Sequence, residues 1–194
     1  MKVSSHEPPG RPVRRRRTGY ASGVAGTAWL LPLKALNDDA LAVKLGEIAG
    51  LEVGEDQRGF VGDPLRMMLV ALEEESRHPY AVDSNGTAAG VLTLQFGAAS
   101  LAGWADNDSV WLLRGFLIDR RRQGRGLGKS AAEAAVREAA KLTAALGGQQ
   151  TGVVLSVNEG NPAGLAAYRK AGFEDRGQYL GGSSGPQRTM YRAF

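Results

Sequence analysis

The segment that most restricts the fold of this chain is a glycine-rich loop between an apolar run and an alanine-rich run. Val110–Asp119 has an almost unbroken apolar centre, which predicts a strand buried on both faces. Gly124, Gly126 and Gly128 follow, and the alanine-dense run Leu127–Leu146 predicts a long helix that packs closely on a sheet. This order places unpaired backbone N–H groups and the positive end of a helix dipole at one point, which favours phosphate binding.

The spacing of the loop glycines separates three classes of phosphate-binding loop. An ATP-binding P-loop needs a glycine five residues before Gly128, where this chain has Gln123. The dinucleotide fingerprint Gly-x-Gly-x-x-Gly needs one more residue before its last glycine. A third pattern, Gln/Arg-x-x-Gly-x-Gly/Ala, is met from Gln123 to Gly128, and a register that starts at Arg121 also fits. The later register is preferred because it places the glycines on the helix N-terminus. A glycine-rich turn with solvated arginines is the structural alternative.

The rest of the sequence predicts a mixed α/β sheet with helices on both faces. Asn85-Gly86 between two apolar runs is typical of a hairpin, and Asp63-Pro64 is typical of a helix start. The predicted elements are, in order, strand Ala28–Leu33, helices from Asn37 to Ile48 and from Asp63 to Glu75, strands His78–Val82, Ala88–Phe96 and Val110–Asp119, helix Leu127–Leu146, strand Thr151–Val157, a helix from Asn161 to Gly172, and strands Phe173–Tyr179 and Gln187–Phe194.

A second motif follows the glycine loop, in the segment Leu155–Phe173. It contains a strand, then Asn161-Pro162, a helix with Tyr168, and Gly172-Phe173. The two motifs together resemble the GNAT superfamily of N-acetyltransferases, clearly over about residues 80–194 and more weakly over 28–79. The resemblance implies a mixed, mostly antiparallel central sheet of about seven strands with helices on both faces, in a domain that spans residues 28–194.

The resemblance also implies an enzyme that moves the acetyl group of acetyl-CoA to a primary amine by direct attack in a ternary complex. The absence of cysteine agrees, because no cysteine can carry an acetyl-enzyme. The CoA pyrophosphate would be held by the loop and the first helical turn, and the pantetheine arm by a strand backbone and a helix-start side chain. These residues are Gln123, Gly124, Arg125, Gly126, Leu127, Gly128 and Lys129 for the pyrophosphate, and Phe116, Leu117, Ile118 and Asn161 for the arm.

Tyr168 is the candidate catalytic residue, since the family often has a tyrosine at this place that protonates the CoA thiolate. A packing role for Tyr168 on the core face beside Leu165 stays open. Asn161 also has a structural interpretation as a helix cap, which is compatible with a contact to the CoA arm. His78, which precedes Pro79, is interpreted as structural, and the sequence identifies no general base.

A narrower resemblance concerns the acceptor. Val110–Asp119 and the loop are similar to bacterial spermine/spermidine acetyltransferases, which implies a polyamine acceptor. The stretch Leu112–Arg114 lacks the acidic residue that some of those enzymes carry, and one extra strand residue predicts a bulge at Gly115. The candidate polycation-binding residues are the carboxylates of an acidic loop, Glu52, Glu55 and Asp56. That loop is also typical of a solvated connection, and a protein or peptide amine or an antibiotic is the other acceptor class.

Composition and charge disfavour several other functions. The chain has no cysteine and only two histidines, which predicts no metal site. The sequence has no run of about 18 apolar residues, so no membrane-spanning helix is predicted. The formal charge of +4 is the sum of +5 from residues 1–27, which hold six basic residues and one acidic residue, and −1 from the rest of the chain. A nucleic-acid-binding domain would carry such a patch on its folded part, so nucleic acid is not an expected partner.

Residues 1–27 are predicted to be a disordered basic tail, because three prolines and a glycine precede the run Arg14–Arg17. An export signal over Arg14–Leu33 is disfavoured, since Gly23 and Gly26 interrupt its apolar part. We therefore expect a cytoplasmic enzyme with a small-molecule amine as its acceptor, and a homodimer is compatible with this. The alternatives from other classes are a P-loop nucleotide-binding protein and a non-enzymatic module that binds CoA or nucleic acid.

Overall fold

The computed structural model describes residues 27–59, 61–182 and 185–194, so the predicted basic tail lies outside the described residues except for Thr27. The strands in these ranges are β1 (Trp29–Pro32), β2 (Arg77–Ser84), β3 (Thr87–Gln95), β4 (Trp111–Ile118), β5 (Gly152–Asn158), β6 (Glu174–Tyr179) and β7 (Gln187–Ala193). The α-helices are α1 (Asp38–Ala49), α2 (Pro64–Glu73), α3 (Leu127–Leu146) and α4 (Pro162–Lys170). Short 3-10 helices occur at Leu33–Ala35, Glu55–Gln57, Ala99–Ala102 and Arg120–Arg122. The predicted order of strands and helices is confirmed.

All seven strands form one sheet in the order β1-β2-β3-β4-β5-β7-β6. Every neighbouring pair is antiparallel except β4 and β5, so the prediction of a mixed, mostly antiparallel sheet is confirmed. The parallel pair is short, because only Trp111 with Val153 and Leu112 with Val154 are in register. Beyond these two pairs β4 and β5 separate toward their carboxyl ends. The sheet therefore opens in its middle, and the functional site is built around that opening.

Local sequence signals explain where the elements begin and turn. Asn85 and Gly86 have φ values of +57° and +82° and connect β2 to β3, as the Asn-Gly pair predicts for a two-residue hairpin. Asn37 caps α1, since its Oδ1 accepts a hydrogen bond from the Ala40 N–H at 2.9 Å. Asp63 caps α2 in the same way, with Pro64 at the first helical position. The helix starts predicted from Asn37 and Asp63 are confirmed.

The two faces of the sheet are covered by different helices. On one face α1 and α2 bury a cluster that includes Ile48, Met68 and Leu117. On the other face α3 and α4 cover a larger cluster, in which α3 buries four alanines, Ala131, Ala132, Ala135 and Ala139. Small side chains let α3 approach the sheet closely, and this fixes the position of its N-terminus beside the end of β4. None of the helices in the described ranges is long and apolar enough to cross a membrane.

Candidate active site

A bulge in β4 lies where this strand leaves β5. Leu117 pairs with Val91 and Arg114 pairs with Thr93, so two residues of β4, Gly115 and Phe116, stand opposite one residue of β3. Gly115 has a φ of +57°, in the left-handed region that favours glycine. The predicted bulge at Gly115 is confirmed. It redirects the carboxyl end of β4 away from β5 and widens the opening.

Beyond the bulge, β4 is paired along one edge and open along the other. The Asp119 N–H donates to the Ala89 carbonyl at 2.8 Å, so Asp119 directs its peptide groups toward β3. Peptide groups alternate along a strand, and Leu117 therefore also faces β3. Phe116 and Ile118 face the opening instead. An open strand edge of this kind can pair with an extended ligand as an additional strand would.

The three strand residues predicted to hold a pantetheine arm differ in the direction of their backbone groups. Phe116 and Ile118 present backbone groups to the opening, whereas those of Leu117 belong to the sheet and its side chain is buried. The Ile118 carbonyl accepts a hydrogen bond from Nε2 of Gln123 at 2.9 Å. Gln123 thus connects the strand edge to the start of the glycine loop. Pairing of this edge with a pantetheine arm stays a prediction, and Phe116 and Ile118 are the two residues whose backbone groups are free of β3 for it.

The glycine loop is anchored by Asp119, which is only 1% exposed. Its carboxylate accepts hydrogen bonds from the backbone N–H of Arg121 at 2.9 Å and from the Arg121 guanidinium at 3.0 and 2.5 Å. The guanidinium holds the pKa of Asp119 below its usual range. Arg121 also donates to the Gly50 carbonyl at 2.8 Å. Its side chain is therefore engaged in the structure of the loop, which favours the register that starts at Gln123.

The loop ends at the N-terminus of α3. Gly124 and Gly126 have φ values of +74° and +81°, which an L side chain adopts only under strain. Gly126 is the N-cap residue and has no side chain to satisfy the N–H groups of the first turn. Leu127 is buried and holds the helix start in the core. The N–H groups of residues 126–129 are thus directed out of the helix end, where the helix dipole favours an anion.

The remaining loop residues contribute charge and close packing at the same point. Arg125 is exposed, and Nζ of Lys129 lies 3.4 Å from a Glu133 carboxylate oxygen on the next turn of α3. A Cβ placed on Gly128 would lie 3.7 Å from the Cβ of Ala167 in α4, so α3 and α4 approach closely here. The structure therefore brings all seven residues predicted to hold a pyrophosphate to one helix N-terminus.

A cavity of about 840 Å³ lies in the sheet opening, between α2, the bulge of β4, β5 and the start of α4. Tyr168 lines it, with its ring 5.9 Å from the Phe116 ring and 5.8 Å from the Phe173 ring. Burial raises the pKa of the Tyr168 phenol, so the hydroxyl keeps its proton at neutral pH. Both interpretations of Tyr168 are compatible with this position, since the ring packs on the core while the residue lines the cavity.

Asn161 also lines the cavity, at the start of α4. Its Oδ1 accepts a hydrogen bond from the Gly164 N–H at 2.8 Å, so the interpretation as a helix cap is confirmed. A contact between Asn161 and a cofactor arm stays a prediction. His78 packs edge-on against Trp111 with ring centroids 5.3 Å apart, and burial lowers its pKa. It is not among the cavity-lining residues, in agreement with its structural interpretation.

The acidic loop occupies a different place from the cavity. Glu52 is exposed, with Oε1 3.4 Å from a guanidinium nitrogen of Arg121, and its carbonyl accepts from the Arg120 N–H. Glu55 begins the short 3-10 helix and is exposed. The side chain of Asp56 lies outside the described residues. Neither Glu52 nor Glu55 lines this cavity, but Glu52 lines a second cavity of about 560 Å³ that shares Val61, Gly62 and Asp63 with it. Acceptor binding by these carboxylates stays a prediction.

Sequence reasoning missed several polar residues of the cavity, among them Asp63, Arg66, Arg77, Thr93 and Arg114. They come from α2 and from three strands, so their proximity depends on the pairing of the strands. The one local signal is Arg114, a charged residue within the apolar run of β4. A charge at such a position is costly unless a partner or a ligand compensates it, and this signal could have pointed to a binding site.

Comparisons with known proteins agree with this architecture. Residues 60–173 match the family model described as the acetyltransferase (GNAT) family. The solved structure of aminoglycoside acetyltransferase AAC(6')-Ib in complex with coenzyme A is 21% identical, with a TM-score of 0.60, over 86% of this chain and 94% of that one. Spermidine N-acetyltransferase from Vibrio cholerae in complex with CoA and spermine is 13% identical, with a TM-score of 0.57, over 86% and 95% of the two chains. No curated protein matches the sequence significantly.

Proposed function

The chain belongs to the acetyltransferase (GNAT) family, and we propose that it moves the acetyl group of acetyl-CoA to a primary amine of a small molecule. The observation that carries this proposal is the order of features along β4: the cavity that Phe116 and Tyr168 line, then the open strand edge, then the glycine loop at the N-terminus of α3. The solved structures with this fold include enzymes for aminoglycosides and for spermidine, which are small-molecule amines. The proposed catalytic domain spans residues 28–194.

The glycine loop would hold the pyrophosphate of acetyl-CoA. Residues 126–129 offer outward backbone N–H groups at the positive end of the α3 dipole, and Arg125 and Lys129 add two cationic side chains. Arg121 is neutralised by Asp119 and supports the loop instead. Since backbone groups do most of the binding, the site depends on loop geometry more than on any single side chain.

The open edge of β4 would hold the pantetheine arm. Phe116 and Ile118 direct backbone groups into the opening, and the amide side chain of Gln123 now hydrogen-bonds to the Ile118 carbonyl. A ligand amide would compete for this carbonyl, so Gln123 would release it when the arm binds. Asn161 lies on the other side of the opening, at the start of α4, because β4 and β5 separate here. The arm would then end at the cavity, beside Tyr168.

The chemistry proposed for the cavity is direct transfer. The amine nitrogen attacks the thioester carbonyl carbon, a C–N bond forms and the C–S bond breaks. A backbone N–H at the β4 bulge would polarise the carbonyl oxygen. The Tyr168 phenol would donate its proton to the departing sulfur, while the proton of the amine passes to water and the phenol is reprotonated from solvent. The position of Tyr168 in the cavity lining supports this role, and burial raises its pKa, so the phenol stays protonated throughout the neutral range.

The test combines binding with turnover on the full chain. Titration calorimetry with acetyl-CoA and with ATP measures which ligand binds, and a panel of amines is then assayed for release of free CoA. We expect acetyl-CoA to bind in preference to ATP and at least one amine to release CoA. Preferential ATP binding would favour a P-loop protein, and acetyl-CoA binding without release by any amine would favour a non-enzymatic CoA-binding module. A cytoplasmic location and a homodimer stay predictions.

A further inference from the structure

The acceptor side of the cavity is rich in positive charge. Among the described residues, the cavity lining includes three guanidinium groups, those of Arg66, Arg77 and Arg114, and one carboxylate, that of Asp63. Oδ1 of Asp63 already accepts a hydrogen bond from the Arg66 N–H at 2.7 Å as the cap of α2. The cationic groups therefore outnumber the anionic ones at the wall where an acceptor amine would lie.

Arg77 and Arg114 flank β3 on the face that α2 covers. Arg77 on β2 pairs with Gln95, and Arg114 on β4 pairs with Thr93, two residues along the same strand. Cross-strand partners point to the same side of a sheet, so both guanidinium groups lie on one face with Gln95 between them. Nη1 of Arg114 donates to Oε1 of Gln95 at 2.8 Å, which holds the guanidinium against β3.

Arg77 and Arg114 have one carboxylate close to them, that of Glu74, to compensate their two positive charges. Nε of Arg77 lies 3.0 Å from a Glu74 carboxylate oxygen, yet this buried nitrogen has no well-aligned hydrogen bond within the part of the chain that the structure describes. Burial lowers the pKa of Arg114, and the neighbouring charge of Arg77 lowers it further, while Glu74 opposes this. Two partly buried guanidinium groups next to one half-exposed carboxylate have an excess of positive charge that an anionic ligand would neutralise.

We propose that this arginine pair selects the acceptor, which is a primary amine that also carries an anionic oxygen group, either a carboxylate or a phosphoryl group. The inference rests on the proposed acetyl transfer and adds the acceptor class. A guanidinium binds both kinds of oxyanion through paired N–H groups. A polyamine or an aminoglycoside would instead place a second ammonium group beside Arg77 and Arg114, where like charges repel.

The position of the arginines also limits the length of the acceptor. Arg114 is two residues from Phe116, whose ring contacts Tyr168, and β-strand residues rise about 3.3 Å each. The backbone of Arg114 therefore lies at most about 7 Å along β4 from that of Phe116, beside which the thioester would be attacked. A compact molecule with amine and anion a few bonds apart spans this distance, as an amino acid or an amino-alkyl phosphate does.

The experiment uses acceptor pairs that differ in charge. Glycine is compared with glycinamide, β-alanine with its amide, and O-phosphorylethanolamine with ethanolamine, with spermidine and kanamycin as polycations. For each, kcat/KM is expressed per unprotonated amine, which removes the effect of the protonated fraction, and the comparison with the Arg114 variants removes the difference in intrinsic nucleophilicity. We expect the anionic member of at least one pair to exceed its neutral partner by about 30-fold, the scale of one charge-assisted hydrogen bond.

Substitutions of Arg114 then test whether this residue causes the preference for anionic acceptors. Arg114→Gln should reduce the ratio of anionic to neutral kcat/KM by about tenfold or more, and Arg114→Lys should restore part of it, because the charge returns without the paired N–H groups. Arg137→Gln, an exposed position on α3, is the matched control and should leave the ratio within about threefold. A ratio is insensitive to the fraction of folded enzyme, so a loss of stability in Arg114→Gln does not affect the result.

The outcomes separate this inference from the proposed function. If the neutral amides or the polycations are the better acceptors and Arg114→Gln leaves the ratio unchanged, the acceptor class is wrong while acetyl transfer stands. If no amine releases CoA, the proposed transfer fails, and calorimetric titration of the CoA-loaded protein with the same pairs still decides on anion selection. Equal or weaker binding of the anionic members would then overturn it.

Discussion

Replacing Tyr168 with phenylalanine removes one hydroxyl group and leaves the surrounding contacts in place. The ring packs between Phe116 and Phe173, and the Tyr168 carbonyl accepts from the Phe173 N–H at 3.0 Å as α4 ends. None of these contacts uses the hydroxyl. The free energy of unfolding should therefore change by less than about 1 kcal/mol. The substitution therefore separates proton donation by the hydroxyl from packing by the ring, the two roles that this position supports.

If the phenol protonates the thiolate, kcat should fall by roughly 10²-fold, which corresponds to about 2.7 kcal/mol of activation free energy. The KM for acetyl-CoA should change far less, since its binding rests on the glycine loop. Free CoA release is measured at saturating substrates, with rapid-mixing kinetics to establish that chemistry limits turnover. Tyr179→Phe is the matched control, because Tyr179 lines the same cavity and loses the same group; its kcat should stay within about threefold.

The pH dependence gives an independent check. An ordinary tyrosine begins to ionise near pH 10, but burial raises the pKa of Tyr168 above that value. The protonated form is the active donor, so kcat should show no falling limb caused by this residue up to about pH 10. A Tyr168→Phe enzyme with the kcat of the unmodified protein would refute the reasoning and leave water or the acceptor as the proton donor. A large loss of stability with proportional loss of kcat would assign Tyr168 to packing.

Three further predictions concern the loop, the tail and the loop anchor. Gly126→Asp should abolish acetyl-CoA binding in calorimetry, whereas Gly126→Asn, its neutral isostere at the same positive φ of +81°, should retain most of it; equal affinities would place the pyrophosphate elsewhere. A chain that starts at Thr27 should keep kcat/KM within about threefold, and a tenfold loss would assign residues 1–26 to the active site. Asp119→Asn should lower the free energy of unfolding at pH 7 by about 1–2 kcal/mol, a value reduced because the Arg121 side chain is 56% exposed. The pKa of Asp119 is lowered in the folded protein, so this contribution is present above about pH 4 and is lost as the pH falls below it; denaturant titrations at pH 7 and pH 3 that show the same difference would contradict it.

The elements could be predicted from the sequence because their signals are local. Asn85-Gly86 determines a hairpin within four residues, Asp63-Pro64 determines a helix start within three, and the run Leu127–Leu146 shows its helix by composition alone. The bulge at Gly115 is predicted from one extra strand residue, and it has a local cue in the glycine inside the strand. In each case the residues that form the feature are neighbours in the chain.

The charge of the cavity could not be predicted in this way. Arg77 and Arg114 are distant in sequence and meet only because β2 and β4 pair with opposite edges of β3 in a particular register. A shift of one residue in either pairing would turn one guanidinium to the other face of the sheet.

The fold and the acceptor chemistry therefore have different determinants. The glycine loop and the open edge of β4 depend on backbone geometry, which the fold reproduces at low sequence identity, as the TM-score of 0.60 at 21% identity illustrates. The part of the cavity lining that would contact the acceptor depends on which side chains occupy a few strand positions. In β4 one of these positions holds Arg114, whose guanidinium donates to Gln95 and has half-exposed Glu74, which does not line the cavity, as a nearby carboxylate. An acceptor that brings its own anion would complete this part of the lining, whereas a polycation would add to the excess charge.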